Sequence, residues 1–161
     1  VGNIMIDTLE ANREKASALQ LEDIFKQNIA AGCELPAIIP GDGTFAVMTL
    51  HRPSNVDTKE VFEPLINFLL SEVTGDHPLI WPIHPRARKQ LEKFGLLDKV
   101  INHPGVILLE PVGYHEMLRL NMGARIMLTD SGGLQEECCV LGPPALPCAN
   151  MEGPACWLAT M

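Results

Sequence analysis

Short stretches that are apolar throughout alternate with amphipathic ones, and this alternation limits the possible folds more than any other feature of the chain. TFAVMTL (44–50), HPLIWPI (77–83), GVILLE (105–110) and ARIMLTD (124–130) lack a regular apolar–polar alternation, as expected of strands covered on both faces. Between them lie segments of helical periodicity: 59–73, 85–97, 114–123, and GGLQEECCVLG up to Gly142. Asp57 or Thr58 is placed to cap the first of these, and Pro64 predicts a kink inside it. Pro85 sits near the start of the second and Gly95 near its end. Residues 4–31 are predicted as one long helix and 31–44, with three glycines and two prolines, as loop. A fifth strand is predicted over 143–149 despite its three prolines. Strand followed by helix, four times over, predicts a parallel α/β sheet with right-handed crossovers.

The 161 residues, 47% of them hydrophobic, suffice for one domain with a real core. No apolar run is long enough for a transmembrane helix. The opening VGNIMIDTLEANREK has neither the basic nor the apolar region of a signal peptide and no initiator Met, so a piece of a longer protein is expected. A net charge of −8 argues against a nucleic-acid partner. It leaves a nucleotide ligand open, because backbone N–H groups hold phosphate without net positive charge. Five cysteines without a CxxC spacing argue against a disulfide framework or a zinc site, and for reduced, mostly buried thiols in a cytosolic protein.

Ligands of open parallel sheets bind beyond the C-terminal ends of the strands. The four predicted strands run, in order, into His51-Arg52-Pro53-Ser54-Asn55, His84-Pro85-Arg86, Glu110-Pro111-Val112-Gly113-Tyr114 and Asp130-Ser131-Gly132-Gly133. Taken singly, each has an ordinary explanation. A histidine at a strand end is commonly a solvated or capping residue. Arg52 and Arg86 are ordinary ion-pair candidates, and DSGG reads as a tight turn with Ser131 as N-cap. Together they place two histidines, two arginines, a serine and a glycine pair on one edge, with the glycines where an anion can approach the start of a helix. Glu136 and Glu137 suit the helix dipole, or one of them faces a neutral hydroxyl such as a ribose.

The segments TLHRPSNVD, PIHPRARKQL, ILLEPVGYHEMLRL and TDSGGLQEE, in this order, resemble the non-hydrolysing UDP-N-acetylglucosamine 2-epimerases, and VGNIMID resembles the segment entering that family's second domain. The resemblance runs over residues 1–144, which would form an incomplete UDP-binding domain, with 145–161 as an atypical tail. It implies a Rossmann-like sheet with helices on both faces, the C-terminal half of a GT-B fold. It further implies interconversion of UDP-GlcNAc and UDP-ManNAc by elimination and re-addition of UDP. The family's proteins are cytoplasmic homodimers serving cell-envelope polysaccharide synthesis, with no cofactor or metal expected. Carried over by motif, His51 would act near the reacting sugar and phosphate. Ser131 and Gly132, with Gly133 beside them, would hold the diphosphate. Glu137 would bind ribose, Arg52 and His84 would line the nucleotide cleft, and Tyr114 would lie near uracil.

The family places its main acidic catalytic residues in a first domain, so this chain is expected to lack them and to be inactive alone. HRPSN stands where many bacterial members have HRREN, so no role passes to Pro53 or Ser54. A glycosyltransferase domain of GT-B architecture and a non-catalytic nucleotide-sugar-binding module remain the alternatives.

Overall fold

In the computed structural model, which describes residues 4–147, five parallel strands form one sheet in the order β3-β2-β1-β4-β5. They are β1 (Ala46–Thr49), β2 (Leu79–Pro82), β3 (Val106–Leu109), β4 (Ile126–Thr129) and β5 (Ala145–Pro147). The α/β expectation holds, and the order adds what periodicity cannot supply. The chain steps outward from β1 through β2 to β3, then returns to the other side of β1 for β4 and β5. The change of direction lies between β1 and β4, which pair from Ala46 with Ile126 to Thr49 with Thr129. A sheet of this kind opens its ligand crevice at such a switch point.

Successive strand residues point to opposite faces, and both faces are dry. Ala46, Met48, Leu79, Trp81, Leu108 and Leu128 share one core with α3 (Pro53–Val56), α4 (Lys59–Phe68), α6 (Pro85–Phe94) and α7 (Leu97–Ile101). Val47, Ile80, Ile107, Leu109 and Met127 share the other with α2 (Leu21–Asn28), α8 (Tyr114–Gly123) and α9 (Gly132–Leu141). This two-sided burial is why the strands are apolar throughout. Each buried side chain of the size of Phe62 or Leu69 contributes about 1.5–3 kcal/mol. The edge of β3 is covered by residues 28–30: Ala30 N donates to Leu108 O at 2.9 Å and Glu110 N to Asn28 O at 2.7 Å.

Several expected elements are divided. The helix predicted over 4–31 is α1 (Ile4–Ser17) followed by α2, with Gln20 extended between them. Ser17 Oγ donates to Glu14 O, and Arg119 Nε donates to the Leu19 carbonyl. The break lets α1 lie on α8 and α9 through Leu9 and Ala16, while α2 turns Leu21, Ile24 and Phe25 onto the sheet. Residues 53–56, expected only to end a strand, form α3 with Pro53 in its first turn. Thr58 precedes α4 without a side-chain cap. Asp57 instead receives Arg86, whose Nε and Nη2 donate to it at 2.9 and 2.6 Å. The chain passes through Pro64 as helix and widens into a π-helical turn over Leu69–Val73, followed by α5 (Thr74–Asp76). The 85–97 helix stops at Gly95, in the left-handed region at φ 71°, and α7 follows. β5 takes Ala145–Pro147 into the sheet, three residues beyond the boundary drawn at 144. Residues 148–161 lie outside the described part, and with them Cys148, Cys156 and most of the expected tail.

Candidate functional site

The four strand-end loops meet in a cavity of about 300 Å³ over the C-terminal edge of the sheet. Its walls include His51 after β1, His84 after β2, Pro111 and Val112 after β3, and Ser131 and Leu134 after β4. This is the low end of the range for small-molecule sites. A larger cavity of about 650 Å³ opens at the other edge, among Phe68, Val73, His77, Arg125, Ile126 and Leu146. The smaller one is the better candidate because it sits at the switch point, beside the glycine pair, where backbone donors converge.

Asp130 organises that switch point. Its carboxylate is 0% exposed, and a buried carboxylate is tolerated only when donors surround it. Oδ2 accepts from His51 N at 3.0 Å, Arg52 N at 2.8 Å and Asn55 Nδ2 at 3.1 Å. Oδ1 lies 2.7 Å from His51 Nδ1. One layer below, Thr49 Oγ1 and Thr129 Oγ1 are 2.7 Å apart, and Ser131 N donates to Thr129 Oγ1 at 3.0 Å. β1 and β4 thus deliver His51 and Ser131 to the same crevice through a buried polar seam. The sequence places Asp130 and Asn55 at strand ends without a role, and gives no sign of Thr49 and Thr129. A carboxylate directly after a buried strand, opposite a second strand end carrying a histidine, was the available signal.

Ser131 precedes α9 in an extended conformation and makes no side-chain cap. The first N–H groups of a helix lack intrahelical partners, and a helix start of this kind suits an anion. Among the described residues a Cβ added to Gly132 would touch nothing within 4 Å. At Gly133 a Cβ would come 2.9 Å from the methyl of Met5, so α1 shelters one side of the helix start.

His84 stands across from His51, with ring centroids 5.8 Å apart. Its Nδ1 accepts from Arg86 N at 3.1 Å, making it the N-cap of α6. Arg52 is anchored by its backbone and its side chain is exposed. Arg86 is drawn off to Asp57, whose carboxyl it holds below the ordinary range. Arg86 is therefore a bracket between α3 and α6, as its ordinary explanation required.

Glu137 and Tyr114 do not line the cavity. Glu137, in the second turn of α9, is 9% exposed. Burial pushes its carboxyl above the ordinary range, and the neighbouring Asn121 amide offsets this only in part. The Asn121 Nδ2 lies outside hydrogen-bond geometry, while its Oδ1 accepts from Cys138 Sγ at 3.2 Å. Burial drives the Cys138 thiol up to about 11, whereas Cys33 is half-buried and Cys139 exposed. Tyr114 is 43% exposed, and its phenol is raised by partial burial and by the charge of Glu137. Among the described residues no group of three or more His, Cys, Asp or Glu side chains is arranged to hold a metal ion. Among them too, no helix is long and apolar enough to cross a membrane.

Comparison with known proteins agrees with this architecture. The family described as UDP-N-acetylglucosamine 2-epimerase matches residues 1–155. A UDP-N-acetylglucosamine 2-epimerase of Methanocaldococcus jannaschii is 36% identical over 148 residues, covering 91% of this chain and 37% of the relative. A UDP-N-acetylglucosamine 2-epimerase homolog of Methanococcus maripaludis is 36% identical over 161 residues, covering 100% of this chain and 40% of the relative. The crystal structure of the M. jannaschii enzyme in complex with UDP-GlcNAc and UDP superposes with a TM-score of 0.73 at 34% identity, over 90% of this chain and 37% of that one. The chain therefore spans about two-fifths of the length of these relatives.

Proposed function

The chain belongs to the UDP-N-acetylglucosamine 2-epimerase family, and from that premise we propose that it carries the UDP-binding unit of an enzyme interconverting UDP-GlcNAc and UDP-ManNAc. The observation that carries this reading is the open helix start at Ser131-Gly132-Gly133, set beside His51 at the switch point of the sheet. In this reading the diphosphate lies against the first N–H groups of α9 and the Ser131 hydroxyl. His84 and Arg52 flank it. Glu137 meets the ribose hydroxyls, Tyr114 lies toward the uracil, and His51 reaches the reacting end of the sugar. The expected assembly of the whole enzyme is a homodimer in the cytoplasm.

The test is ligand-dependent thermal stability. A ligand at a hundred times its Kd stabilises by about 2.7 kcal/mol, which for a domain of this size raises Tm by roughly 5–10 °C. UDP is expected to stabilise more than uridine at equal concentration, the difference coming from the phosphates. Gly132→Val is expected to fold, since its Cβ enters open space, and to lose the advantage of UDP because the side chain fills the approach to the helix start. Equal stabilisation of the parent chain by uridine and UDP would remove the site.

A further inference from the structure

We propose that the two histidines of the crevice are held in opposite tautomers, His51 by Asp130 and His84 by the start of α6, so that one offers an acceptor nitrogen and the other a donor. This rests on the proposed UDP-sugar site and deepens it. An ionised carboxylate only accepts, so at 2.7 Å from Asp130 Oδ1 the proton belongs to His51 Nδ1. The neutral ring is then left with a lone pair on Nε2. For His84 the relation is reversed. Its Nδ1 accepts from the Arg86 N–H at 3.1 Å, so the neutral ring carries its proton on Nε2.

Asp130 has a loop-holding duty as well, and its two oxygens divide the work. Oδ2 takes His51 N, Arg52 N and Asn55 Nδ2. Oδ1 accepts from His51 N at 3.2 Å and lies 2.7 Å from the imidazole Nδ1. A carboxylate oxygen this close to a ring nitrogen fixes the tautomer of that ring, as the aspartate of a serine-protease triad does. Asp130 is thus a positioning residue that acts through His51. With both histidines in the wall of one cavity, the pair suits a ligand presenting an anionic oxygen to His84 and a proton-bearing group to His51. A phosphate next to a sugar meets that description.

Imidazole nitrogen NMR on the 161-residue chain labelled with ¹⁵N-histidine tests the proposal. The five histidines are distinguished with His51→Gln and His84→Gln. With the rings neutral, His51 is expected to show a protonated Nδ1 and an unprotonated Nε2, and His84 the opposite. Asp130→Asn presents an amide N–H where Oδ1 was, so the unprotonated signal of His51 is expected to move from Nε2 to Nδ1 while His84 is unchanged. A wild-type His51 protonated on Nε2, or a folded Asp130→Asn chain with the same His51 tautomer, would overturn the proposal. If that variant does not fold, the wild-type tautomers decide alone. Titration with UDP separates the two readings: if the tautomers are as stated but UDP moves neither ring, the nucleotide site fails and the assignment of Asp130 stands.

Discussion

Glu137 is a carboxylate kept at 9% exposure in the second turn of a helix, beside an amide that does not bond it in good geometry. Its folded-state pKa is raised, chiefly by burial. The linked stability is therefore fully present below the unfolded value and is lost as pH rises through the folded one. At neutral pH the chain carries the cost of burying this carboxyl group, as functional sites often do. Glu137→Gln removes the charge at nearly constant volume. It is expected to raise Tm by roughly 1–3 °C at about pH 7, with the gap closing as pH falls toward about 4. A scan of Tm against pH for both proteins checks this; a Gln variant less stable at neutral pH would show that the carboxylate is satisfied after all. The same variant is expected to weaken UDP binding, since the proposed site gives Glu137 the ribose.

At the scale of elements, the helix ends show how local chemistry and packing share control. Gly95 ends α6 at φ 71° and Gly142 ends α9 at φ 99°, a region that L side chains enter at a cost of about 1–2 kcal/mol. Among the described residues a Cβ at Gly95 would meet nothing within 4 Å, so Gly95→Ala isolates the cost of the backbone conformation. It is expected to lower stability by about 1 kcal/mol, measured as a shift of the urea midpoint at unchanged slope. Gly41→Ala, also into open space but without a positive φ, is the control and is expected to be neutral. Both stops were legible as glycines after amphipathic runs. The break between α1 and α2 was not, because one apolar stripe runs through both; only their different partners, α8 and α9 for one and the sheet for the other, divide it.

For the whole molecule, the crevice bears on catalysis. Elimination of UDP needs a base for the sugar C2 proton and stabilisation of the departing phosphate. General acid–base groups contribute about 10²–10⁴-fold and placed electrostatic donors about 10²–10³-fold. The described lining residues of the cavity include two histidines and no carboxylate, and Asp130 is already surrounded by donors. The 161-residue chain is therefore expected to bind UDP without turning over UDP-ManNAc. Following the anomeric NMR signals of UDP-ManNAc incubated with the chain measures this directly. Ready conversion to UDP-GlcNAc would mean that the groups of this crevice suffice for the chemistry.

The sequence by itself determined the alternation of buried strands and amphipathic helices, the parallel sheet that results from it, and the gathering of His51, His84 and Ser131 on one edge. Those are consequences of local periodicity and of the fixed direction of parallel strands. Which strands stand side by side was decided only in the tertiary structure. Periodicity records which faces a strand buries, not its neighbour, and β4 could have followed β3 outward instead of returning to β1. That return brings Asp130 to His51, 79 positions apart in the chain, and Thr129 to Thr49, 80 apart. The chemistry of the crevice depends on those two meetings, and both are made by packing β4 against β1.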